Sequence, residues 1–121
     1  MNFKLSVNDT TKSVKDSFRK HFKGLKIEFF MHDHKSREGS PKADMVTEDV
    51  PLKLLCPDFK DTHVVVSTKM TVAEVEVLFE EKLGLHIQLF RKTGINWIET
   101  TRTDHYTLEK QQEIFRETQH I

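Results

Sequence analysis

The sequence predicts a mixed α+β fold, a two-layer sandwich of ferredoxin-like type built from two βαβ units, with an added C-terminal hairpin strand and short helix. Three observations predict it. Short segments of alternating apolar and polar residues occur on either side of two helical stripes, as half-buried strands do. Each stripe ends at a glycine that is followed at once by a new alternating segment. The two stretches also parallel each other: Val14-x3-Phe18-x3-Phe22 then Gly24-Leu-Lys-Ile-Glu-Phe-Phe30, and Val75-x3-Phe79-x3-Leu83 then Gly84-Leu-His-Ile-Gln-Leu-Phe90. Such self-similarity is the mark of one supersecondary unit used twice. The competing topology is a β-grasp-like sheet, in which the strand pair 85–101 follows a single helix.

Along the chain, Phe3, Leu5 and Val7 alternate as a first strand, and Asn8-Asp9-Thr10 supplies turn and capping chemistry. Val14, Phe18 and Phe22 recur at i, i+4 and i+8 on one helical face until Gly24 ends the helix. Leu25, Ile27 and Phe29 alternate with Lys26, Glu28 and Phe30 in a second strand. Residues 33–61 form a long connecting loop, rich in turn formers and charge; within it Val50–Leu55 suits a short edge strand, because Pro51 excludes a central one. Val64-Val65-Val66 has the β-branched character of a strand buried on both faces. Thr71 with Glu74 forms a capping box, and Val72, Val75, Leu78, Phe79 and Leu83 line one stripe of the helix that ends at Gly84. Leu85, Ile87 and Leu89 alternate with His86, Gln88 and Phe90; Thr93-Gly94 marks a hairpin turn into a strand at 97–101. Arg102, Thr103, Asp104 and Thr107 signal the last helix, 107–117. No composition shift divides the 121 residues, so a single domain, 1–121, is expected.

Hydrophobic content of 36% with 31% charged residues fits a globular protein with its own core. No apolar run approaches membrane-spanning length, and the N-terminus lacks the apolar stretch of a signal peptide. The single cysteine, Cys56, suits a reducing, cytoplasmic setting. Nineteen basic and nineteen acidic residues cancel, which weighs against a nucleic-acid binder. The balance is uneven, however. The helix at 11–23 carries Lys12, Lys15, Arg19, Lys20 and Lys23 against Asp16, whereas that at 71–83 carries Glu74, Glu76, Glu80 and Glu81 against Lys82. Lys15, Arg19, Glu76 and Glu80 are therefore candidate interface residues, either attracting each other within the chain or meeting between protomers.

Catalytic and cofactor motifs are not found. His32, His34, Cys56 and His63 are zinc-ligand types, but the paired spacings of zinc sites are absent, so solvated histidines are expected. No Gly-x-Ser-x-Gly element accompanies the serines, and Cys56 reads as structural. The four glycines never cluster, which excludes phosphate and dinucleotide loops. No metal or cofactor is expected. Alternation sends Phe30, His86, Gln88 and Phe90 to the side of the sheet away from the repeat helices, where the 40–60 segment or the C-terminal helix is expected to cover them, since exposed apolar patches are uncommon; left uncovered, they form with Trp97 a candidate binding surface.

Gly84-Leu85, Gln88, Phe90-Arg-Lys, Trp97, Glu99-Thr100, Thr103-Asp104 and Thr107-Leu108-x-x-Gln111 resemble a signature of small bacterial proteins without assigned function. The resemblance implies a stand-alone bacterial domain and carries no activity or site with it. The functional expectation is a non-enzymatic intracellular interaction or assembly module, binding a protein or a second copy of itself and no membrane. Its alternative is a regulatory small-molecule-binding domain, a role ferredoxin-like repeats commonly serve.

Overall fold

The computed structural model describes residues 1–31 and 42–119. Their order is β1 (Asn2–Leu5), α1 (Thr11–His21), β2 (Leu25–Phe30), α2 (Leu52–Leu55), β3 (Thr62–Val65), α3 (Val72–Leu78), β4 (His86–Thr93), β5 (Asn96–Glu99) and α4 (Leu108–Thr118). Among the described residues the fold is mixed α+β, with four α-helices and two antiparallel sheets, β1-β3 and β2-β4-β5. The strands thus do not join in the single sheet that a ferredoxin-like sandwich requires. An alternating pattern fixes which face of a strand is buried, but it does not choose the neighbouring strand.

The pairing follows the internal repeat. The first strands of the two units pair with each other, Phe3 opposite Val64, and so do the second strands, with Glu28 opposite Gln88. Around that pair the register is reciprocal: Ile27 faces Leu89 and Phe29 faces Ile87. Exchanging Ile27 with its counterpart Ile87, and Phe29 with Leu89, reproduces the same two pairs. The β2-β4 register therefore has the form of a local two-fold axis between Glu28 and Gln88.

Local chemistry explains where the elements start and stop. Ser13 N–H donates to the Thr10 hydroxyl while Thr10 N–H donates to the Ser13 hydroxyl, a reciprocal cap on α1. Thr71 and Glu74 cap α3 in the same manner. After Leu78 the helix opens into one wide π turn, Phe79–Leu83, which keeps both Phe79 and Leu83 buried before Gly84 closes it at φ +68°. Gly94 (φ +61°) makes the two-residue turn between β4 and β5, with Thr93 opposite Asn96.

Two local expectations are corrected. Val50–Leu55 is not an edge strand: Pro51 precedes a short helix, suited by its fixed φ of −60°, and Leu52 and Leu55 share its inner side. The valine run of β3 is buried on one face only, since Val64 and Val66 lie in the core while Val65 is 55% exposed. A two-stranded sheet has no second layer to cover that side. The expected core is otherwise in place: Phe18, Phe22, Val66, Phe79, Leu83 and Ile87 are all buried in one cluster.

The caps also set an acid dependence. Hydrogen bonds from the Thr71 N–H and hydroxyl hold the Glu74 carboxyl below its ordinary 4.5. The Thr10 hydroxyl, then the Lys12 N–H, hold Asp49 below its ordinary 3.8. Carboxyls depressed on folding stabilise the fold above their unfolded values and lose that contribution as pH falls through the folded ones. Melting temperature should therefore drop with acidification below about pH 4.5. Glu74→Gln keeps the reciprocal cap without the titration and should flatten the profile. A variant profile parallel to the wild type would rule out this contribution.

Candidate functional site

The candidate surface is the outer face of the three-stranded sheet, and the structure treats its residues unequally. Phe30 and Phe90 are 1% and 8% exposed and Gln88 is 1%, so none of the three offers an open stacking or docking surface. The backbone of Met45 bridges to Phe30 at the free edge of β2, where Val46 N–H also donates to the Phe29 carbonyl. The Lys26 ammonium lies 5.5 Å from the centre of the Phe90 ring. Gln88 donates to Glu76 of α3 and its cross-strand neighbour Glu28 pairs with Lys15 of α1, so side chains of the repeat helices reach this face, which alternation alone does not show. His86 is half-buried, its Nδ1 3.6 Å from Glu80 Oε1.

Glu76 serves the fold rather than a free helical surface. One of its carboxylate oxygens accepts from Leu89 N–H at 3.0 Å and from Gln88 Nε2 at 3.2 Å. At this level of β4 the partner strand β5 has ended, with Thr100 N–H donating to the Leu89 carbonyl. The carboxylate takes the ladder position that β5 vacates, meeting the rule that backbone donors away from water need acceptors. Its counterpart in the repeat is Lys15, which donates to Glu28 at 3.1 Å. Opposite charges on the two helices thus find partners on their own neighbouring strands: Lys15 an ion pair, Glu76 hydrogen bonds.

Trp97, like His86, remains partly accessible. It is half-buried on β5, and two cations flank its ring: the Arg19 guanidinium at 5.0 Å and the Lys26 ammonium at 4.8 Å. Cations over an indole face are attracted by the ring quadrupole. Beside this cluster, α1 and β2 enclose a groove of about 310 Å³, whose charged lining is Lys12, Lys15, Asp16, Arg19, Lys26, Glu28 and Asp49. Lys12 pairs with Asp16 at 2.7 Å, while Lys15 and Lys26 both pair with Glu28, at 3.1 and 3.2 Å. Arg19 has no carboxylate within ion-pair distance among the described residues. The groove is a charged recess with one cation left over, and among the described residues no histidine, cysteine or serine lines it.

Of this arrangement, Lys15 and Arg19 were recognisable, since residues four apart share a helical face. Lys26 and Glu28 were missed as site residues, and the signal that could have found them is their alternation onto the face that Phe90 and Trp97 occupy. His32 and His34 lie outside the described residues, and among the described residues no group of three metal-ligating side chains gathers. Cys56 is half-buried, its sulfur 2.8 Å from where a Cβ on Gly84 would stand. No helix among the described residues is long and apolar enough to cross a membrane. No protein-family model, curated protein or solved structure matches this chain.

Proposed function

We propose that this protein is a non-enzymatic interaction or assembly module that receives an acidic protein surface on the flank formed by α1, β2 and β5. The observation that carries the reading is Arg19: a guanidinium without a carboxylate partner among the described residues, held over a half-buried tryptophan at the lip of a charged groove. Arginine and tryptophan are the residue types most enriched where binding energy concentrates. The chain itself provides an acidic surface of matching kind, with Glu74, Glu80 and Glu81 around α3 and its π turn. Contact between α1 of one copy and the α3 region of another is heterologous, so it builds rings or open chains.

Association should accordingly depend on concentration and weaken with salt, because exposed charges are screened over about 8–10 Å at 0.1–0.15 M. Arg19→Glu should abolish it, and so should Glu80→Lys with Glu81→Lys; mixing the two variants should restore one contact and stop at a heterodimer. Glu76 is left intact, since its reversal would damage the β4 edge. Sedimentation at low and high salt reads the result. A wild type that stays monomeric at high concentration and low salt would refute self-association.

A second reading rests on the groove itself, whose roughly 310 Å³ is at the lower end of small-molecule pockets. A regulatory ligand domain would show a saturable thermal shift with one metabolite and no dependence on protein concentration.

A further inference from the structure

We infer that the free edge of β5 takes up an extended acidic segment of a partner protein as an added strand. The inference rests on the reading of this flank as a receiver of acidic groups, and it assigns the partner's conformation and register.

Hydrogen-bonded and non-hydrogen-bonded pairs alternate along an antiparallel ladder. Thr100 N–H donates to the Leu89 carbonyl, while Lys92 N–H points the other way, to the Gly24 carbonyl. With Phe90 opposite Glu99 and Lys92 opposite Trp97, this parity turns the N–H and carbonyl of Trp97 and of Glu99 away from β4. Among the described residues these outward groups have no partner. The opposite edge of the sheet differs, since Met45 bridges to Phe30 and Val46 N–H donates to the Phe29 carbonyl. The chain closes one edge itself and leaves the other open, and an open edge is a template for a further strand.

Side chains select that strand. Ile98 is 40% exposed on one face of β5 and offers an apolar contact. On the other face Trp97 carries Arg19 and Lys26, and Lys92 stands opposite it on β4. Neither Arg19 nor Lys92 has a carboxylate partner among the described residues. An antiparallel segment with an acid opposite Trp97 answers these cations, and its next residue, β-branched and apolar, covers Ile98. The β5 strand of a second copy fits less well. Each copy brings Arg19, Lys26 and Lys92 to the seam against Glu99, because Glu28 is already shared by Lys15 and Lys26. A two-fold pair of β5 strands therefore gathers like charges on one face.

The test titrates the full chain, dilute enough to be monomeric, with the end-blocked peptide Thr-Val-Glu-Val-Glu-Thr. Trp97 is the single tryptophan, so its fluorescence gives the dissociation constant. The Trp97 and Glu99 amides should gain protection from hydrogen exchange. The same peptide with lysine for both glutamates should not bind. Methylating both glutamate backbone nitrogens keeps the charge and removes the strand's donors, which should weaken binding at least about tenfold. Glu99→Pro should weaken it comparably and leave the fold and the α3 contact intact, since a free edge accommodates proline where the N–H faces away from the sheet. Unprotected Trp97 and Glu99 amides, or equal binding of the methylated peptide, would overturn strand addition while the salt-dependent association decides the underlying reading separately. Equal binding of the lysine peptide would overturn both. Protection that grows with protein concentration, without peptide, in a Glu80→Lys, Glu81→Lys variant would give the edge to a second copy and overturn the inference.

Discussion

Phe79→Ala is expected to lower the unfolding free energy by about 3–5 kcal/mol, the sum of lost transfer energy and the cavity left behind. Phe79 is fully buried at the start of the π turn, and its ring meets Phe3 edge to face with centroids 6.1 Å apart. Phe3 in turn stacks on Phe18, so the side chain sits where the first strand and the helices of both units converge. Relaxation into the void is hindered, because the π turn is fixed by Gly84 N–H donating to the Glu80 carbonyl and Leu85 N–H to the Phe79 carbonyl. Chemical denaturation measures the loss directly. A cost below about 1 kcal/mol would mean that this helical stripe is not the centre of the core.

Gly24→Ala should be nearly as damaging, for a different reason. Gly24 ends the connection into β2 at φ +87°, a conformation that costs an L-residue about 1–2 kcal/mol. An added methyl would also stand 2.3 Å from the Phe115 ring, where α4 lies across this end of the sheet. Overpacking of that kind adds about 1–3 kcal/mol. Gly94 is the internal control: it has φ +61°, but nothing lies within 4 Å of a Cβ built there. Gly94→Ala should therefore show the backbone cost alone. Removing the ring with Phe115→Ala should relieve most of the excess at Gly24, read as the coupling term of a double-mutant cycle. Equal losses at Gly24 and Gly94 would show that Phe115 does not press on this glycine.

Both predictions depend on features whose visibility in the sequence differed. Phe79 was identifiable from spacing alone, because burial of a helical stripe is dictated by a 3.6-residue period whatever the stripe packs against. The same holds for the caps at Thr71 and Gly84 and for the turn at Gly94, each set by residues within four positions of one another. Gly24 was recognisable as a stop but not as a close approach, since its constraint comes from Phe115 near the far end of the chain.

Sequence by itself determined the mixed α+β class, the strand–helix–strand order of its two similar stretches, the hairpin and final helix, the inward residues and the charge split between the first and second repeat helices. All of these are local, carried by hydrophobic period, cap chemistry and turn chemistry. Tertiary structure decided which strands pair, placing β1 with β3 and β2 with β4, because alternation specifies a face and leaves the neighbour open. It buried Phe30 and Phe90, turned Glu76 onto the edge of β4, and gathered Arg19, Lys26 and Trp97 from three separate elements. It also fixed the Gln111 amide against Thr103 and left Arg91 without a counter-charge among the described residues. Contacts between residues distant in the chain carry no local signature, since each depends on how whole elements pack.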